Sequence, residues 1–200
     1  KYQLISLSGG NVSLRVNSEH ILVTPSGMVY DEMVPEDVLV VDNEGKIVEG
    51  ERKASVDTIA LCYIYKNMPN VNSIIHTHQP YATGLGLVFD RIDCDLTTLA
   101  NTTKGHVHVA PYSSAASLEM GVAVVDYIGD SLAVVLKNHG VVTIGKNLTE
   151  ALYAAVYLEE SAKTLYVAHS LGRPVAKLTE DQIQVAVDVF KAYGQVPGEH

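Results

Sequence analysis

Two short, largely apolar runs end in histidines. Val71 to Ile75 leads into His76-Thr77-His78, and Leu132 to Leu136 is followed by Asn138-His139-Gly140. Runs of this length predict strands buried inside a sheet. Side chains two apart on a strand share a face. His76 and His78 can therefore aim two imidazoles at one point, and His139 can complete a triangle from a neighbouring strand. Three neutral imidazoles with a fourth position open are the ligand set of a catalytic zinc rather than a structural one. Three nitrogens also suit Co2+, Mn2+ or Fe2+. The expectation is a metalloenzyme.

The rest of the pattern predicts an α/β chain. Val12–Val16 and His20–Thr24 flank a polar turn, as do Val38–Asp42 and Lys46–Val48, so two hairpins open the chain. A helix is expected from Ser55 as N-cap, with Asp57 in its first turn. Further helices are expected from Pro80, from Ser117 to Ile128, from Thr149 as cap to Ser170, and after a capping box at Thr179 to Gln182. Strands outnumber crossover helices early on. The expected architecture is a three-layer α/β/α arrangement around a mostly antiparallel or mixed sheet.

Charge and composition narrow the function classes. A formal net charge of −9 argues against a nucleic-acid partner, since phosphate backbones need clustered Lys and Arg. With 47% hydrophobic and 18% charged residues a substantial core is expected, and 200 residues suggest one domain spanning 1–200. No apolar run approaches a membrane span, and Cys62 and Cys94 form no disulfide or ligand pattern. Together these suggest a reduced, cytoplasmic setting.

Small residues at turns form a second constellation: Ser8-Gly9-Gly10-Asn11, Ser26-Gly27 and Ser55. Backbone N–H groups at such turns and at a helix N-terminus can cradle a phosphate. Asp57 is the carboxylate best placed to act as a fourth metal ligand or a general base. His106 and His108 alternate as His76 and His78 do but lack a third partner, so a second metal is not expected there. Glu159 and Glu160 read as a solvated face.

In this order, these motifs resemble the class II aldolase/adducin-type family, which includes L-fuculose-1-phosphate aldolases and L-ribulose-5-phosphate 4-epimerases. The resemblance covers nearly the whole chain: Gly9 to Ser13, Thr24 to Gly27, Glu49-Gly50, Lys53 to Asp57, the three histidines and Tyr193-Gly194-Gln195. It implies zinc on His76, His78 and His139, and a substrate-phosphate pocket at Gly10, Asn11, Ser26, Gly27 and Ser55. It also implies Asp57 and Tyr193 as acid/base groups, a homotetramer with sites between subunits, and a helix ahead of the glycine motif, which this chain is expected to lack or to have lost. Retro-aldol cleavage of a phosphorylated ketose through a zinc-stabilised enediolate is the first expectation, and 4-epimerisation by the same chemistry is the second. The order turns on Asn101, which falls where the epimerases carry a second catalytic carboxylate and which cannot transfer a proton as a carboxylate does. Asn101→Asp is accordingly expected to raise epimerisation. A non-catalytic, adducin-like scaffold is the remote third reading.

Overall fold

The computed structural model describes residues 2–191. Two hairpins come first: β1 (Asn11–Arg15) with β2 (His20–Val23), then β3 (Leu39–Asp42) with β4 (Ile47–Glu49). There follow α1 (Thr58–Asn67), β5 (Ser73–Thr77), α2 (Pro80–Val88), β6 (Arg91–Ile92), α3 (Thr97–Thr103) and β7 (Val107–Ala110). The chain continues through α4 (Leu118–Ile128), β8 (Ala133–Leu136), β9 (Gly140–Gly145), α5 (Leu148–Ser170) and α6 (Glu180–Lys191).

The nine strands form one sheet in the order β4-β3-β2-β1-β5-β9-β8-β7-β6. Every neighbouring pair is antiparallel except β7 with β8. Strand alternation divides the core between the two faces. Val134, Leu136, Val142 and Ile144 pack with α1 and α4 residues such as Leu61, Ile64, Met120 and Val124. Ala133, Val135 and Val141 pack on the other side with Leu85, Leu99, Leu158, Ala162 and Ile183 from α2, α3, α5 and α6. The three-layer α/β/α expectation holds, with a mostly antiparallel central sheet.

Local chemistry moves some element ends. Asp57 is the N-cap residue of α1 and not part of its first turn, and Ser55 lies before the helix. Asn147, not Thr149, caps α5, its side chain accepting from the Glu150 N–H at 2.9 Å. The capping box at α6 is present: Thr179 Oγ1 accepts from Gln182 N (3.3 Å) and Gln182 Oε1 accepts from Thr179 N (2.9 Å). Glu159 departs from the solvated face expected of it. It is 1% exposed, and its carboxylate accepts the Tyr81 and Ala82 N–H groups at the start of α2. Those donors have no partner within their own helix, so a carboxylate from α5 satisfies them. Helix α3 is threonine-rich and carries little helical signal. Its hydroxyls bond back to carbonyls one turn earlier, Thr102 to Thr98 O and Thr103 to Leu99 O.

Candidate functional site

The histidines meet where β5 ends and β9 begins. His76 lies in β5, opposite Asn11 of β1 on one side and Val142 of β9 on the other. It is 1% exposed, and its Nδ1–H donates to Val141 O at 2.9 Å. That bond leaves Nε2 as the free acceptor of a neutral ring. Burial first, then the charge of His139, pushes the His76 pKa down to about 4. His78 follows the end of β5 and is exposed, its N–H donating to Leu4 O at 3.1 Å. His139 sits in the turn between β8 and β9, where Asn138 takes a left-handed φ of 62°. Asparagine tolerates that region better than most side chains. Burial also holds the His139 pKa below its ordinary value, with the His78 charge adding to the effect.

The His76 and His139 Nε2 atoms are 3.3 Å apart, a gap that a shared proton or a metal cation can bridge. Nitrogens on a tetrahedral zinc sit about 3.3 Å apart by the same bond lengths. Ligating atoms of all three histidines lie within 4.8 Å of one another, the one such group among the described residues. His139 Nδ1 is buried and has no hydrogen-bond partner. The donor set fits a divalent transition metal.

Two glycines permit this convergence. Gly10 has φ 77°, and a Cβ there would strike the His76 carbonyl oxygen. A Cβ on Gly140 would strike the Thr77 carbonyl oxygen and approach His78 Cδ2 at 3.0 Å. Close backbone approach, not turn geometry alone, requires glycine at both positions.

Beside the histidines lies a cavity of about 210 Å3 whose wall includes Gly10, Ser26, Gly27, Ser55, Asp57, His78 and His139. The structure therefore brings four of the five expected phosphate-pocket residues to one cavity with the metal-type cluster. Asn11 does not line it. Its Nδ2 donates to Asp57 Oδ2 at 2.8 Å, while Ala116 N donates to Asp57 Oδ1 at 2.9 Å. Among the described residues no Lys or Arg lines the cavity, so of these an anion there would rely on N–H groups, hydroxyls and the N-terminus of α1.

Asn101 is not at this cavity. With its amide oriented to suit its neighbours, its Nδ2 donates to Thr97 O (3.0 Å) and Ala186 O (2.6 Å), tying α3 to α6. Tyr193 lies outside the described residues. Sequence reasoning missed Ala115, which lines the cavity, and Ala116, because nothing distinguishes either alanine in the sequence. A larger groove of about 500 Å3 between α2 and α5 is walled by Tyr81, Leu85, Val88, Phe89 and Tyr166. Among the described residues it holds one titratable ring besides the tyrosines, His169, and the convergent chemistry is in the smaller cavity.

Residues 1–166 match the family described as Class II Aldolase and Adducin N-terminal domain. The chain belongs to the class II aldolase and adducin family. It is 36% identical over 164 residues to an L-fuculose phosphate aldolase of Methanococcus maripaludis, covering 82% of this chain and 88% of the relative. It is 31% identical over 190 residues to a 5-deoxy-D-ribulose 1-phosphate aldolase of Bacillus thuringiensis, covering 94% and 88%. Among solved structures, an L-fuculose 1-phosphate aldolase superposes with a TM-score of 0.88 at 28% identity, covering 94% of this chain and 89% of that one. Class II aldolases are metal-dependent, and the three-histidine group is where this chain could hold a metal. No helix among the described residues is long and apolar enough to cross a membrane.

Proposed function

We propose that this protein is a zinc-dependent class II aldolase that cleaves a phosphorylated ketose by retro-aldol chemistry. His76, His78 and His139 would hold the metal. The observation that carries the reading is the union of three converging imidazoles, a buried carboxylate and a small cavity with serine hydroxyls in its wall at one strand end. A divalent metal bound there supplies Lewis acidity to a substrate oxygen as the C–C bond breaks.

The chain's own residues do the rest. Burial lowers the His76 and His139 pKa values, which favours the unprotonated rings that a metal needs. Gly10, Ser26, Gly27 and Ser55 receive the phosphate, with the dipole of α1 favouring its charge. Asp57, on the cavity wall, takes up or returns the proton on the fragment that keeps the phosphate. Groups of this kind contribute about a hundredfold or more in rate. Tyr193 is proposed as the acid/base partner on the aldehyde side, and a homotetramer as the assembly, both on the family resemblance.

The names of the similar proteins suggest the substrates to try. The metal-loaded protein, incubated with L-fuculose 1-phosphate and with 5-deoxy-D-ribulose 1-phosphate, is expected to release an aldehyde and dihydroxyacetone phosphate, and a chelator should stop the release. Formation of D-xylulose 5-phosphate from L-ribulose 5-phosphate without any cleavage would overturn the aldolase reading in favour of the epimerase. Absence of both reactions and of bound metal would favour the scaffold.

A further inference from the structure

We propose that Asn11 and the backbone N–H of Ala116 clamp Asp57 so that it serves as a proton carrier held outside the metal's coordination sphere. This rests on the metal-dependent reading above and specifies a role for Asp57 within it. Each carboxylate oxygen receives one donor, Oδ2 from Asn11 Nδ2 at 2.8 Å and Oδ1 from Ala116 N at 2.9 Å. The donors come from separate elements. Asn11 opens β1 in register with the metal-type ligand His76, and Ala116 stands just before the N-cap of α4. Asp57 itself occupies the N-cap position of α1 without a side-chain capping bond, so three elements converge on one carboxylate.

Two details show that the carboxylate organises its neighbours. Asn11 is 1% exposed, yet its Oδ1 has no partner, so only the bond to Asp57 fixes which way the amide faces. The reversed amide would set Oδ1 against Oδ2, oxygen against charged oxygen. Ala116 takes φ 57°, a left-handed conformation that a residue with a Cβ adopts only under constraint. In that conformation its N–H reaches Asp57 Oδ1. Asparagine and the strained alanine are thus positioning residues, acting through Asp57.

The clamp also fixes where Asp57 stays. The carboxylate lines the cavity with His78 and His139, but no Asp57 oxygen belongs to the cluster of ligating nitrogens. With both hydrogen bonds in place the carboxylate stands apart from that cluster, and joining it would require the side chain to move. Each oxygen keeps a lone pair beyond its single N–H bond, which is what accepting a substrate proton needs.

The test compares wild-type protein, Asn11→Ala and the exchanged pair Asn11→Asp/Asp57→Asn, each loaded with Co2+. In Asn11→Ala, kcat is expected to fall roughly 10- to 100-fold with KM changed less than about threefold. The Co2+ visible bands should weaken as the released carboxylate joins the metal. The exchanged pair restores the hydrogen bond with its polarity reversed. It should recover wild-type thermal stability and the wild-type Co2+ spectrum, but not turnover. Wild-type kcat and spectrum in Asn11→Ala would overturn the clamp, as would a rise in KM alone, the mark of a phosphate contact. If Asn11→Ala does not fold, the exchanged pair decides: a Co2+ spectrum unlike wild type, or full turnover, overturns the proposal. Failure of the metal-dependent reading looks different, because wild-type protein would then give no Co2+ bands at all.

Discussion

His76 and His78 alternate in the sequence as His106 and His108 do, yet the two pairs end in different chemistry. The first pair lies at the end of a central strand, between β1 and β9, with a third imidazole facing it across 3.3 Å. His76 spends one nitrogen on a backbone carbonyl and keeps the other as a ligand. The second pair lies near the sheet edge, where β7 meets the two-residue β6. His106 Nδ1 accepts from Cys94 N at 3.0 Å, so its Nε2 carries the proton and donates to Glu180 Oε1 at 3.2 Å. Both of its nitrogens are engaged by the protein, and His108 is exposed opposite Arg91. Alternation sets direction only. A metal centre also needs an uncommitted nitrogen and a partner brought in by the neighbouring strand.

The largest test of that contrast exchanges ligands for look-alikes. His76→Ala or His139→Ala should reduce metal affinity by more than the roughly 10- to 100-fold that outer-shell partners command, and should abolish cleavage. His106→Ala and His108→Ala should leave metal content and cleavage unchanged. Calorimetric metal titration of the four variants checks this.

Next come the glycines beside each pair. Gly140→Ala drives a Cβ into the Thr77 carbonyl oxygen. It should lower stability by about 1–3 kcal/mol and weaken metal binding with it. At Gly105 an added Cβ would face open space among the described residues beyond its chain neighbours, and φ 141° is what opposes it. Gly105→Ala should therefore cost about 1 kcal/mol and leave metal binding intact. Thermal melts with and without Zn2+ separate the two outcomes.

Near the second pair, Asn101 links α3 to α6. Asn101→Asp would set a carboxylate against the Thr97 and Ala186 carbonyl oxygens. The structure therefore predicts a loss of about 1–3 kcal/mol in place of the gain in epimerisation that the sequence suggested. A denaturant titration beside an epimerase assay checks both.

The pH response follows from the lowered His76 pKa. A folded-state value below the unfolded one means that the unfolded chain binds more protons in acid. In the metal-free protein the stability is present above the ordinary histidine value of about 6.5. It is lost as pH falls through that value toward about 4. Saturating Zn2+ should shift the loss to lower pH, as melting temperature against pH would show. The smallest effect is expected at Glu180, whose side chain is 83% exposed. Glu180→Gln should change stability by no more than about 0.5 kcal/mol.

Much of the architecture was legible because burial imposes a period on the sequence. The apolar run from Leu132 to Leu136 holds a buried strand, Ala133–Leu136, as such a run predicts, and Ala151, Ala154, Ala155 and Ala162 form a buried face of α5. The histidine cluster was legible for the same reason, since a two-residue period fixes which way imidazoles point. Helix α3 was hidden by threonines that make their own backbone bonds. Glu159 was misread because only the fold brings a carboxylate of α5 to the unpaired N–H groups of α2. The partners of Asp57 were invisible for a related reason: Asn11 and Ala116 stand 46 and 59 residues away, and one of them offers only its backbone.

The most direct test of the central claim is a metal titration of chelator-stripped protein, followed by calorimetry and by the Co2+ visible spectrum. One equivalent of Zn2+ or Co2+ per chain is predicted, with binding lost in His76→Ala and retained in His106→Ala. Absence of stoichiometric binding, or binding that survives His76→Ala, would contradict the account.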